Sequence, residues 1–220
     1  MKLFLSLAVV GVLLAGCAAP PRPSTRTPSA STPAALAAAV QSEARRSEDE
    51  HDPHARTALA DQASADAAAC IAQAPQAAGC LYARALALGL SAREHPASAA
   101  STLRDMLESL GRADAADPNY DDAGPQRVRA LVLLHAPAWP LGPGDPQEAL
   151  VAAQRAVARR PQYPPNLLVL AQAQAATADP AAARATYGRA RNAALALPAG
   201  TERDGWVGEA DKGLQNLQTK

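Results

Sequence analysis

Two histidines and three acidic residues lie close together in the sequence and offer nominal metal ligands. They are His51 and His54, directly after Glu48, Asp49 and Glu50. A metal site needs its ligands to converge, but Pro53 interrupts the helix that would align them, and no third, distant His evidently joins them as a ligand. The segment is therefore interpreted as a solvated acidic turn, and no metal site is predicted.

The segment Asp117-x-Asn119-x-Asp121 imitates the start of a calcium-binding loop. Such a loop requires Gly at its sixth position and a bidentate Glu at its twelfth, but Asp122 and Val128 occupy those places. The sequence also has no phosphate-binding glycine motif and no GxSxG, and no Ser or Cys is evidently paired with a base. We therefore predict no catalytic residue and no cofactor, and an enzyme is disfavoured.

Cys17 ends a segment that is ordered like a secretory signal. Lys2 is followed by an apolar run and then by Leu14-Ala15-Gly16-Cys17, which is the usual sequence of charged, apolar and small-residue regions. The tetrad resembles a bacterial lipobox, in which the Cys is lipidated and becomes the first mature residue. The alternative is an ordinary signal peptide with an incidental Cys. We predict a signal peptide over residues 1–16 and lipidation of Cys17.

By the same resemblance, Ala18 fits sorting to the outer membrane. Elsewhere in the sequence, apolar runs are shorter than the roughly 18 residues that a membrane span needs. Residues 17–32 are dominated by Pro, Ser, Thr and Ala and predict a flexible tether. We therefore expect an envelope protein whose contact with the membrane is the N-terminal lipid, with a periplasmic domain over residues 33–220.

Cys70 and Cys80 form the remaining even pair of cysteines. In an oxidising periplasm, two cysteines this close in sequence predict a disulfide. The alternative is a pair of buried free thiols. A zinc site is disfavoured because the CxxC spacing typical of such sites is absent.

The segment 133–146, LLHAPAWPLGPGDP, separates two stretches with a helical pattern. Its prolines fix φ and remove backbone donors, so the loop should be stiff. Trp139 requires burial of its ring and a partner for its N–H. Two interpretations remain open: Trp139 plugs the end of a groove, or it lines a ligand or peptide site together with Arg127 and Tyr163.

Two further side chains, Asn166 and Tyr82, complete the candidate groove. Arg127 opens a helix, where a cation is unfavourable for the dipole, so it either has a specific partner or is solvated. Asn166 follows two prolines and is either a helix cap or a hydrogen-bonding group in the groove. Tyr82 lies on a predicted helix and is expected to contribute mainly to packing.

An all-α domain must position these residues. About a quarter of the chain is Ala, and the single Phe lies in the N-terminal apolar run, a composition that favours helix. Pro and Gly divide the chain into helix-sized segments that begin with capping signals such as Asp145-Pro146. The predicted helices cover residues 33–50, 53–74, 80–95, 96–116, 124–135, 146–160 and 166–177, and two more begin at Pro180 and Thr201.

A period of 34 residues relates Ala149 to Ala183 and Ala156 to Ala190. Small residues at this period are the signature of tetratricopeptide repeats. An earlier copy is nine residues too long: two extra residues precede the helix at 124–135 and seven follow it. Because a single hairpin cannot bury its apolar face, stacking must create the core. We predict a tetratricopeptide-like solenoid of about four helical hairpins with a C-terminal capping helix.

One string of motifs carries a resemblance to a known family. It consists of Pro118-x-Tyr120, Ala123-Gly124-Pro125-x-Arg127-Val128, Ala136-Pro137-x-Trp139-Pro140, Gly142-x-Gly144-Asp145 and Pro161-x-Tyr163-Pro164-x-Asn166. Over about 70–190, the chain resembles the tetratricopeptide lipoproteins associated with TRAP-type transporters, the T components. That resemblance implies a lipid-anchored, non-catalytic periplasmic protein whose cavity cooperates with a solute-binding protein.

Charge narrows the choice of partner. Without Lys2, 20 Lys and Arg residues face 21 Asp and Glu residues. This balance lacks the basic footprint of a nucleic-acid-binding protein and the polybasic patch of a membrane-surface protein. We expect a periplasmic protein as the partner, and the alternative is a structural adaptor in a pilus, secretion or wall assembly. Homo-oligomers are also compatible with the exposed Ala-rich helices.

Overall fold

The computed structural model describes residues 27–218. The predicted signal peptide, Cys17 and the first part of the predicted tether lie outside the described residues. In the described range the chain forms nine α-helices and no β-strand. They are α1 (Pro33–Asp49), α2 (Pro53–Gln73), α3 (Ala78–Glu94), α4 (Ala99–Ala116), α5 (Gly124–His135), α6 (Pro146–Arg159), α7 (Pro164–Ala176), α8 (Pro180–Leu195) and α9 (Thr201–Asn216).

Four of these helices begin with the same capping motif. Thr32, Asp52, Asp145 and Asp179 each accept a hydrogen bond from a first-turn N–H, and each precedes a proline at the first helical position. The side chain satisfies a donor that the helix leaves unpaired, and proline supplies helical φ. These starts agree with the sequence-based prediction. The region after α3 differs, because a short 3₁₀ helix over Pro96–Ser98 precedes α4.

The helices pair into the four expected hairpins, α1–α2, α3–α4, α5–α6 and α7–α8, and α9 packs against α7 and α8. Buried Ala residues at the helix contacts, including Ala83, Ala130, Ala153 and Ala190, allow close approach. The predicted all-α, tetratricopeptide-like solenoid with a C-terminal capping helix is therefore confirmed. A cavity of about 390 Å³ lies where α3, α4 and α5 meet.

A disulfide joins Cys70 near the end of α2 to Cys80 at the start of α3. Both cysteine side chains are fully buried in the core of the first three helices. The bond closes the turn that links the first hairpin to the second. It therefore links two successive hairpins, which must stack on each other to bury their apolar faces.

Candidate functional site

Arg127, at the start of α5, lies at the centre of a buried polar network. One of its terminal nitrogens bonds the Asp121 carboxylate at 2.7 Å, and the other bonds the carbonyls of Asp121 and Asp122 at 3.1 and 3.2 Å. The guanidinium also reaches Asn166 Oδ1 at 3.1 Å and lies 5.3 Å from the centre of the Tyr163 ring. The Arg127 side chain is only 11% exposed. Its donors serve the protein itself.

Asn166 is fully buried and is not a helix cap. Helix α7 begins two residues earlier than predicted, and Tyr163 occupies the cap position. The Asn166 amide donates to the carbonyls of Asp122 at 2.9 Å and Ala156 at 3.3 Å, while its oxygen accepts from Arg127. Asn166 therefore ties α7 to the α4–α5 loop and does not offer its amide to a groove.

Tyrosines extend the network in both directions along the molecule. The Tyr82 hydroxyl donates to Asp121 Oδ2 at 2.9 Å, and its ring meets that of Tyr120 edge to face at 5.5 Å. Burial raises the pKa of the Tyr82 phenol, so it remains a donor. At the other end, Tyr163 meets Trp206 of α9 edge to face at 5.9 Å.

The α4–α5 loop that supplies Asp121 has an unusual backbone. Asp121, Asp122 and Ala123 have φ values of 50°, 52° and 65°. Residues other than Gly visit this left-handed region at a cost of roughly 1–2 kcal/mol each, usually singly. The bonds from Arg127 and Asn166 to the loop carbonyls stabilise this turn. The network is accordingly a brace between repeats, with Asn166 fully buried, Arg127 largely buried and Asp121 partly open to solvent.

Trp139 lies elsewhere, and the expectation that its ring is buried is wrong. The side chain is 85% exposed, and that of Leu141 is 75% exposed. The described structure contains no hydrogen bond or ring contact from Trp139 to Arg127 or Tyr163, so these three do not form one site. Trp139 does not plug a groove either, because the loop that carries it turns outward.

The loop 136–145 can stand away from the helices because it satisfies much of its own backbone. The N–H groups of Leu141 and Gly144 donate to the carbonyls of Ala138 and Pro137 at 3.0 and 2.8 Å. A Cβ at Gly144 would lie 2.1 Å from the Ala136 carbonyl oxygen, so only glycine fits there. The loop is thus an ordered platform that presents two apolar side chains to solvent.

A groove that sequence reasoning missed lies between α5, α7 and α9. It encloses about 410 Å³, and its polar and aromatic lining consists of His135, Gln172, Tyr187, Glu209, Lys212 and Asn216. Gln172 of α7 donates to Glu209 of α9 at 2.7 Å. A Cβ at Gly213 would lie 2.4 Å from the Tyr187 ring, so glycine lets this ring stand at the groove. We call this cavity the inner groove.

The walls of the inner groove perturb its acidic group. They desolvate the Glu209 carboxyl and raise its pKa, while the Gln172 hydrogen bond and the charges of His135 and Lys212 oppose that shift. Near the end of α1, desolvation and the charge of Asp49 raise the pKa of the Glu48 carboxyl, while the charges of Arg93 and Arg45 oppose that shift.

A buried carboxyl pair lies apart from this groove, between α1 and α2. Asp66 is fully buried and accepts bonds from the N–H and hydroxyl of Ser29, both at 2.5 Å. Glu43 is buried beside it. Desolvation, followed by the charge and hydrogen bond of Asp66, raises the pKa of Glu43 to about 7. Ser29 thus fastens the last part of the predicted tether to α2.

Two observations on the described residues concern metal binding and membrane-spanning helices. Within residues 27–218, no group of three His, Cys, Asp or Glu side chains is placed to hold a metal ion. Over the same range, no helix is both long enough and apolar enough to cross a bilayer.

The fold is similar to that of TTC0263, a thermophilic tetratricopeptide-repeat protein of Thermus thermophilus. The two chains are 20% identical, the TM-score is 0.53, and the match covers 81% of this chain and 96% of the other. No protein-family model matches the sequence, and no curated protein matches it. The likeness shows a tetratricopeptide-like fold and does not confirm the resemblance to T components.

Proposed function

We propose that the protein is a non-catalytic binding module and that the inner groove holds its ligand or partner segment. The observation that carries this proposal is the convergence of His135, Gln172 and Glu209 from α5, α7 and α9 on one cavity. Its volume of about 410 Å³ falls within the range of ligand sites, roughly 300–1,000 Å³. A small polar ligand or a short peptide segment fits both the size and the lining.

The location is proposed from the sequence. Residues 1–16 have the order of a signal peptide, and Cys17 follows as the residue to be lipidated and held at the outer membrane. The disulfide between Cys70 and Cys80 is the kind of bond that persists in an oxidising compartment such as the periplasm. The resemblance to T components adds the finer proposal that the partner is the solute-binding protein of a TRAP-type transporter.

Affinity capture tests the proposed partner. The tagged protein is isolated from its own cell envelope, and the proteins bound to it are identified by mass spectrometry. The Glu209→Gln variant, which removes the groove's acidic charge, should lose the captured partner. The matched control is Glu148→Gln, because Glu148 is an exposed carboxyl on α6 outside the inner groove.

The outcomes separate the two proposed functions. A periplasmic solute-binding protein or a TRAP subunit, captured by the control and lost with Glu209→Gln, supports the transport role. Pilus, secretion or wall-assembly proteins instead contradict it and favour the alternative, a structural adaptor. A parallel Cys17→Ala variant should leave the membrane fraction, and its retention there would contradict the lipid anchor.

A further inference from the structure

A second groove lies on a different part of the molecule, between α2 and α3, and is mainly apolar. It encloses about 420 Å³. Its principal lining consists of Ser64, Ala68, Ile71, Ala72, Arg84 and Leu88. In contrast to the inner groove, this outer groove has one charged group, the guanidinium of Arg84, and its floor is built from small side chains. It therefore suits an apolar occupant that can also contact a cation.

The chain itself carries a surface with those properties. Trp139 and Leu141 are the most exposed large apolar side chains among the described residues. Both are held on the self-bonded loop 136–145, so docking them requires little further ordering of the backbone. Aromatic side chains on ordered loops are typical anchors of protein interfaces, since they bury a large area at low entropic cost.

We propose that the Trp139–Leu141 loop of one copy of this protein inserts into the outer groove of a second copy. The groove is large enough to take an indole ring together with a Leu side chain. Arg84 lies where its guanidinium can stack on the indole face, an arrangement that stabilises aromatic–cation pairs. The small residues Ser64 and Ala68 allow the ring to approach the helix backbone.

This contact joins two different surfaces of the protein. The loop lies between α5 and α6, whereas the outer groove lies between α2 and α3. Two copies either exchange loop and groove reciprocally across a twofold axis, or copies join head to tail into a ring or a chain. Each copy contributes one loop and one groove. The inference does not depend on what the inner groove binds.

Two complementary variants of the full chain test the contact. The loop variant carries Trp139→Ser and Leu141→Ser, and the groove variant carries Ala68→Glu and Ala72→Glu at two exposed helix positions. Sedimentation velocity in a non-ionic detergent measures association across a concentration series. We expect the wild-type protein to associate and each variant to associate at least about tenfold more weakly, since one buried anchor is worth a factor of that order or more.

Mixing the two variants gives the decisive result. Each retains the half that the other lacks, so an equimolar mixture should form a one-to-one pair and nothing larger. Pair formation also shows that both variants are folded. Leu195→Ser, a change at an exposed apolar residue on α8, is the control and should associate as the wild type does. A monomeric wild-type protein, variants that associate normally, or a mixture that stays unpaired would each overturn the proposal.

Discussion

The two loops that flank α5 differ in the direction their side chains face. The α4–α5 loop, 117–123, precedes α5, and the α5–α6 loop, 136–145, follows it. Both loops lengthen the repeat beyond its usual period of 34 residues. In the α4–α5 loop, Tyr120 and Asp121 join the network around Arg127. In the α5–α6 loop, Trp139 points into solvent.

The difference follows from how each loop satisfies its polar groups. The α4–α5 loop adopts a left-handed turn whose carbonyls accept hydrogen bonds from Arg127 and Asn166, so its conformation depends on other parts of the molecule. The α5–α6 loop forms its hydrogen bonds within itself and with the end of α5. An insertion that is complete in itself leaves its apolar side chains free for another molecule.

Removing Arg127 should destabilise the protein more than any other change described below. In Arg127→Ala, the Asp121 carboxylate and the Asn166 amide oxygen lose a buried partner, so the free energy of unfolding should fall by about 3–5 kcal/mol. Urea denaturation monitored by circular dichroism measures it. The control is Arg160→Ala, because Arg160 bonds Asp122 at an exposed site and should contribute less than about 1 kcal/mol. Equal losses in both variants would show that the brace has no special role.

A rise in pH should destabilise the protein mainly through Glu43 in the first hairpin, which lies in neither loop. Because the pKa of Glu43 is raised from 4.5 to about 7, the folded protein keeps a proton that the unfolded chain releases. This stabilisation is present below pH 4.5 and is lost as pH rises through 7, an effect of about 2–3 kcal/mol.

Urea denaturation at pH 5 and pH 8 measures this loss. Glu43→Gln should remove most of it, because the amide does not titrate, and the raised pKa values of Glu48 and Glu209 leave a smaller loss. The loss should be the same in Trp139→Ala as in the wild type, because distant sites act additively. An undiminished loss in Glu43→Gln would assign the pH dependence to another group.

Gly124→Ala should disturb the brace without removing any of its partners. The added Cβ would lie 2.7 Å from Asp121 Oδ2 and 2.9 Å from the Tyr82 hydroxyl, so their bond must shift. We expect a loss of about 1–3 kcal/mol in thermal or urea unfolding. Gly111→Ala is the matched control: its Cβ meets nothing within 4 Å, and it should stabilise α4 by about 0.5–1 kcal/mol.

Trp139→Ala should have the smallest effect on stability. An exposed side chain makes few contacts, so we expect a change below about 0.5 kcal/mol in the same urea measurement. If this variant instead lost as much stability as Gly124→Ala, the α5–α6 loop would pack against the rest of the protein and the contrast between the loops would disappear.

The helices could be predicted from the sequence because their signals are local. A capping side chain followed by proline, as at Asp145 and Asp179, fixes a start within the residues concerned. The tetratricopeptide-like stack followed from the 34-residue spacing of Ala149 and Ala183. In both cases, the residue types that determine the structure stand next to it or recur at a fixed period.

The sites could not be predicted in the same way. Gln172 and Glu209 meet across 37 residues, and neither stands in a local motif that marks a groove. Asn166 has the sequence context of a helix cap, yet helix α7 starts earlier and buries it. The burial expected for Trp139 rested on the chemistry of its ring alone, whereas the loop's internal hydrogen bonds let it stand away from the helices.

The disulfide has a consequence for how the cell handles this protein. In the chain-entropy account, closing the loop between Cys70 and Cys80, ten residues apart, disfavours the unfolded chain by about 3 kcal/mol once the bond exists. A chain retained on the cytoplasmic side, where thiols stay reduced, lacks that contribution. Under the export proposed above, the fraction unfolded before export would be roughly a hundredfold larger than after it, so stalled chains would be open to proteases that exported chains resist.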